Sequence, residues 1–138
     1  MRHYLIILLY ISGIFLFSCE EDSPFINCDE CLQTEPLNAT VILKLDERRN
    51  AIVPVEVYSG FLEENINFAS FRFGSPQAEI QLPLNSLYTI TATYTYEGRT
   101  YTAVDTAYPR VKFSEDQCDD PCYYVYDNVA DLRIKYPD

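Results

Sequence analysis

Tryptophan is absent from this 138-residue chain, and methionine and histidine occur once each, the latter as His3. A lone imidazole at the third position leaves the rest of the chain without the commonest general base. Ser–His and Cys–His nucleophile pairs are thereby excluded beyond it. Four dispersed glycines exclude a Gly-rich phosphate cradle. Basic side chains are also scarce: ten Lys and Arg stand against 21 Asp and Glu, a formal charge of −11. The electrostatic attraction behind phosphate binding has the wrong sign, which argues against nucleic acid and anionic lipid surfaces as partners. The carboxylates are scattered rather than bunched, as on a solvated surface, and no acidic pair stands in the apolar setting that glycosidase-type catalysis needs. The chain is read as a non-enzyme without a cofactor.

Only one long apolar run is present, Tyr4 to Phe17, preceded by Arg2 and His3. It has the length of a secretory h-region and is short for a membrane span. Leu16-Phe17-Ser18-Cys19 closes it. This spacing resembles the bacterial lipobox, in which the cysteine thiol receives a diacylglycerol and signal peptidase II cleaves before it. The resemblance implies a lipoprotein signal peptide over residues 1–18, palmitate-type acylation of Cys19, and attachment to a membrane through that lipid. An uncleaved N-terminal anchor is the competing reading. The following Glu20-Glu21-Asp22 resembles the surface-export signal of Bacteroidota lipoproteins and implies display on the outer membrane at the cell surface. About 120 residues would remain, enough for one domain with a modest core.

Residues 19–36 read as the acylated cysteine and an acidic tether with Pro24 and Pro36. Beyond them, alternation of apolar and polar residues predicts strands at 37–46, 52–59, 66–73, 78–84, 88–96, 99–106, 110–115, 123–126 and 131–136. Pro54 cannot donate to a ladder, so the second strand should lie at an edge or carry a bulge there. Between Tyr88 and Tyr96 one face reads Tyr88, Ile90, Ala92, Tyr94, Tyr96 and the other is threonine throughout. A two-residue loop at Glu97-Gly98 would pair Tyr94 with Tyr101, Ala92 with Ala103, Thr95 with Thr100 and Thr93 with Thr102, while a one-residue slip opposes tyrosine to threonine. The fold class expected is all-β: a single β-sandwich of about seven or eight strands over residues 37–138, disulfide-stapled, behind the signal peptide and tether. The order of strands over 37–106 resembles the transthyretin-like and carboxypeptidase-regulatory-like sandwiches of exported bacterial proteins. That resemblance implies a fold and no particular activity.

Four cysteines besides Cys19 fall in two close pairs, Cys28/Cys31 and Cys118/Cys122. An even count in an exported chain points to disulfides, with three connectivities open. Linking early to late cysteines is expected, because closing a loop of about 90 residues stabilises by ~4 kcal/mol or more. A four-thiolate zinc site is the sharper alternative, although Cys-x-x-x-Cys fits it less well than Cys-x-x-Cys and the flanking carboxylates disfavour free thiolates. Asp116, Asp119 and Asp120 match no EF-hand spacing. Twelve tyrosines leave open a glycan-binding face built from Tyr88, Tyr94, Tyr96 and Tyr101, against the plainer reading of half-buried strand positions. Asp105-Thr106-Ala107 resembles the O-glycosylation site of exported Bacteroidota proteins, which implies Thr106 as an attachment point. The function expected is a membrane-anchored binding or structural accessory module with a protein or glycan partner at the envelope.

Overall fold

A computed structural model describes residues 26–47 and 52–135. Residues 1–25, among them Cys19 and the signal segment, lie outside the described residues, as do Arg48-Arg49-Asn50 and Tyr136. The described chain is all-β apart from single 3-10 turns at Cys28–Glu30 and Leu62–Glu64. Its strands are β1 (Asn38–Lys44), β2 (Val53–Ser59), β3 (Asn67–Phe73), β4 (Gln77–Pro83), β5 (Tyr88–Tyr96), β6 (Arg99–Ala107), β7 (Arg110–Ser114), β8 (Cys122–Tyr126) and β9 (Val129–Asp131).

Two sheets, ordered β4-β1-β9 and β3-β2-β5-β6, share one core, and β7-β8 forms a separate two-stranded ribbon. The alternation in the sequence explains the layering. Val41, Leu43 and Leu45 from the β1 segment, Ile80 and Leu82 from β4, and Val53, Val55 and Val57 from β2 all point into the same interior. Each buried side chain of this size contributes roughly 1.5–3 kcal/mol. The β5–β6 hairpin has the register that the Tyr/Thr alternation predicts, with Tyr94 opposite Tyr101 and Thr95 opposite Thr100. Glu97 and Gly98 both take positive φ, 48° and 76°, as a tight I′-type connection requires.

Three details differ from the sequence reading. β2 is an inner strand, between β3 and β5. Pro54 is tolerated because pairing with β5 starts one residue later, at Val55–Ala92, so at Pro54 only the β3 side is laddered. The irregularity of this pair lies at the other end, between Val57 and Tyr58, where Phe68 is the extra residue and its ring packs edge-on to Tyr88 at 5.4 Å. The last strand is shorter than 131–136 and starts earlier: β9 runs parallel to β1 over Ile42–Lys44 only. Once the Leu132 N–H has bonded the Lys44 carbonyl, β1 has ended and there is no further edge to follow. Finally, the threonine row of β5 is itself buried at Thr89 and Thr91, since β5 lies between β2 and β6, and the Thr89 hydroxyl is satisfied by the Gly60 carbonyl at 2.8 Å.

The two sheets are tied together at their sides. The Asp105 carboxylate on β6 accepts from the Asp131 N–H on β9 at 2.7 Å. Tyr94, buried in the core, donates its hydroxyl to the Leu132 carbonyl at 2.8 Å and accepts from the Asp46 N–H at 3.2 Å. Tyr94→Phe keeps the ring and deletes both bonds inside the protein. It should lower stability by ~1–3 kcal/mol, read as a lower urea midpoint at unchanged slope.

Candidate functional site: the cross-linked junction of tether and sandwich

Residues 26–32, within the stretch that reads as tether, are part of the folded body. The Asn27 side chain accepts from the Asp29 N–H at 3.2 Å, and the Glu30 and Cys31 N–H groups bond back to Asn27 and Cys28. With three residues per turn, this 3-10 turn brings Cys28 and Cys31 onto one side. Across from them, the loop after β7 supplies Cys118, and the first residue of β8 is Cys122. The bonds formed are Cys28–Cys118 and Cys31–Cys122, with Cα–Cα distances of 5.7 and 5.4 Å. Leu32 then pairs with Tyr123 through two backbone bonds of 2.9 Å, adding a short third rung to the ribbon. Cys122 is buried and Cys28 exposed.

All four sulfurs gather in one knot. The Sγ atoms of Cys31, Cys118 and Cys122 lie within 4.8 Å of one another. In the oxidised form all four are consumed in S–S bonds, so a four-thiolate zinc site requires reduction of both. Asp116, Asp119 and Asp120 are exposed and, among the described residues, form no convergent carboxylate cluster with other acidic groups.

The ribbon that carries the knot is rooted at one end of the sandwich. The Asn85 N–H bonds the buried Pro109 carbonyl, and the Tyr108 N–H bonds that of Asp127. Arg110 pairs with Asp127 and lies over the rings of Tyr126, at 4.7 Å, and Tyr108, at 5.2 Å. The amino-terminal segment is thus fixed to the ribbon covalently, and the ribbon to the sandwich by this root.

The other residues singled out by sequence do not converge. Tyr88 and Tyr94 are each 2% exposed and belong to the core, and Tyr101 packs against it. A stacking face needs rings open to solvent, so the four-tyrosine glycan surface is not formed. Thr106 is exposed near the end of β6, an accessible position for a modification. Its neighbour Asp105 serves a structural purpose, taking the Thr106 N–H on one oxygen and the Asp131 N–H on the other.

A polar cavity of about 500 Å³ lies between β6 and the C-terminal segment, lined by residues that include Thr102, Asp105, Asp131 and Arg133. Arg133 grips the Asp131 carboxylate with two bonds of 2.8 and 2.7 Å. Those bonds hold the carboxyl far below its ordinary value of 3.8, against a smaller opposing push from burial, with the Lys135 charge a lesser aid. An acid so depressed stays ionised and cannot serve as a general acid near neutrality. The contribution of this pair to stability is complete above the unfolded value and is lost as pH falls below about 4. The urea midpoint of the native chain should therefore drop more steeply from about pH 4 downward than that of Asp131→Asn, and an identical slope in both would contradict the assignment.

Comparison with protein-family models, with curated proteins and with solved structures finds no match to this chain.

Proposed function

We propose that the protein is a lipid-anchored accessory module of a bacterial outer membrane, displayed at the cell surface and non-enzymatic, with Cys19 as the acylated residue. The observation that carries this reading is the position of the cross-linked junction. Folded structure is already locked at Cys28, nine residues after Cys19. An anchor at Cys19 would thus be joined to the sandwich by a short leash ending in a covalent mount, an arrangement suited to keeping a binding or structural domain within about 30 Å of a bilayer.

The chemistry of the chain supports the non-enzymatic part. The single imidazole precedes the proposed cleavage position, and of the two acids lining the C-terminal cavity Asp131 is committed to an ion pair and Asp105 to two backbone N–H groups. The test is metabolic labelling with a palmitate analogue in the native bacterium. Label on the wild-type protein and none on Cys19→Ala is expected. An unlabelled wild-type protein would defeat the proposal.

A further inference from the structure

The two ends of the sandwich differ sharply in polarity. One end gathers the starts of β1, β3 and β5 with the ends of β2, β4 and β6. It exposes Leu37 at 87%, Phe61 at 60%, Ile66 at 55% and Phe68 at 47%, with Leu62 also open. At the far end the turns are polar, Gly74-Ser75-Pro76 and Glu97-Gly98-Arg99, with Ile52 and Tyr96 its exposed large apolar residues among those described.

Most of the apolar end is a single loop, and that loop is held in shape. The Gly60 N–H bonds the Leu87 carbonyl at 2.8 Å, Ser59 bonds Ile66 at 2.9 Å, and the Leu62–Glu64 turn closes through Glu64 to Phe61 at 3.1 Å and Asn65 to Leu62 at 3.0 Å. Gly60 and Asn65 take the positive φ that the two corners require. A Cβ on Gly60 would lie 2.0 Å from the Glu64 carboxylate. The loop thus held carries four exposed large apolar residues, Phe61, Leu62, Ile66 and Phe68, within eight positions of the chain, a grouping unlike the single scattered apolar residues of an ordinary surface.

We infer that this end rests on the bilayer to which the chain is anchored, with Phe61, Leu62, Ile66 and Phe68 entering the lipid interface. The inference rests on the acylation of Cys19 proposed above. Nine residues from Cys19 to Cys28 reach at most about 30 Å, and the ribbon holding Cys28 is rooted at this same end. The knot lies at the other tip of the ribbon, past the Ser114–Cys122 pair, but the chain returns from Cys31 to Leu37, at the apolar end, within six residues, so the leash lets this end reach the membrane. Glu63 and Glu64 sit in the loop and stay in water, so entry is shallow. The strongly acidic composition makes apolar contact, not attraction to anionic lipid, the source of the docking.

The chain has no tryptophan, so a single introduced indole reports its own surroundings. The acylated full-length variants Phe61→Trp and, near the polar end, Thr95→Trp are reconstituted into phosphatidylethanolamine/phosphatidylcholine vesicles containing lipid brominated near the head of the acyl chain. Trp at position 61 is expected to emit at shorter wavelength and lose most of its emission to the brominated lipid, while Trp at position 95 does neither. Equal quenching at both positions, or none at position 61 on vesicles that float with the protein, would overturn the docking while leaving the anchor intact. Protein that fails to float with the vesicles would refute the anchor, and the docking with it.

Discussion

Replacing both cysteine pairs with alanine, Cys28 with Cys118 and Cys31 with Cys122, is expected to cost about 7 kcal/mol, whereas removing either pair alone should cost only about 2.5 kcal/mol. The asymmetry follows from nesting. Each bond spans almost the same stretch, with sequence separations of 90 and 91 residues. While one bond persists, the long loop stays closed, and its neighbour adds only the short ring through residues 28–31 and 118–122. Removing the second bond then releases the whole enclosed chain, from β1 to β7, at about 4.5 kcal/mol. The native stability of a domain this size is itself about 5–15 kcal/mol. The fully alanine chain should therefore be unfolded or close to it, while each single-pair variant stays folded. Urea denaturation of the four proteins, arranged as a double-mutant cycle, should give a coupling of about 2 kcal/mol between the two bonds. Strict additivity, about 5 kcal/mol for the double replacement, would mean that opening the long loop counts no more than opening the short ring.

The second large effect is expected at Cys19. Each buried methylene contributes ~0.8 kcal/mol, and a single chain binds only marginally, so two or three acyl chains separate durable anchorage from none. If Cys19 is the acylated residue, as proposed, Cys19→Ala removes the thiol that would carry the diacylglycerol. Signal peptidase II cleaves only the modified precursor, so this variant should accumulate as the full 138-residue chain, unlabelled and missing from the outer membrane. Its apolar Tyr4–Phe17 segment would then hold it where it was inserted. Membrane retention alone is thus a poor readout, whereas precursor mass and label are decisive. A Cys19→Ala protein that is processed and labelled like wild type would refute the lipobox reading.

What the sequence disclosed, and what it withheld, divides by range of contact. The β5–β6 pairing was legible because alternating tyrosine and threonine penalise every odd slip, so a local pattern settles the register. The four-cysteine staple was legible in outline, yet cysteine spacing cannot distinguish Cys28–Cys118 from Cys28–Cys122. The choice is made by the turn capped by Asn27 and by the Leu32–Tyr123 pair, whose two partners lie 91 positions apart in the chain. β9 was misplaced for a similar reason. Its limits are set by where β1 still offers a free edge, and nothing in residues 129–136 encodes that. The twelve tyrosines misled in one respect: the hydroxyls of Tyr88 and Tyr94 find backbone carbonyls, of Pro83 and Leu132, so polar tips did not mean exposed rings. The apolar loop at Phe61–Phe68 gave a weak signal, apolar residues around Glu63-Glu64 between two strands, and its meaning depends on which end of the sandwich the ribbon leaves.

The most direct test of the account is the mass of the amino-terminal peptide from protein purified out of its own bacterium. The mature chain is expected to begin at Cys19, with that residue carrying a diacylglyceryl thioether and an acylated amine. A chain beginning at Cys19 with an unmodified thiol, or one that retains residues 1–18, would contradict it.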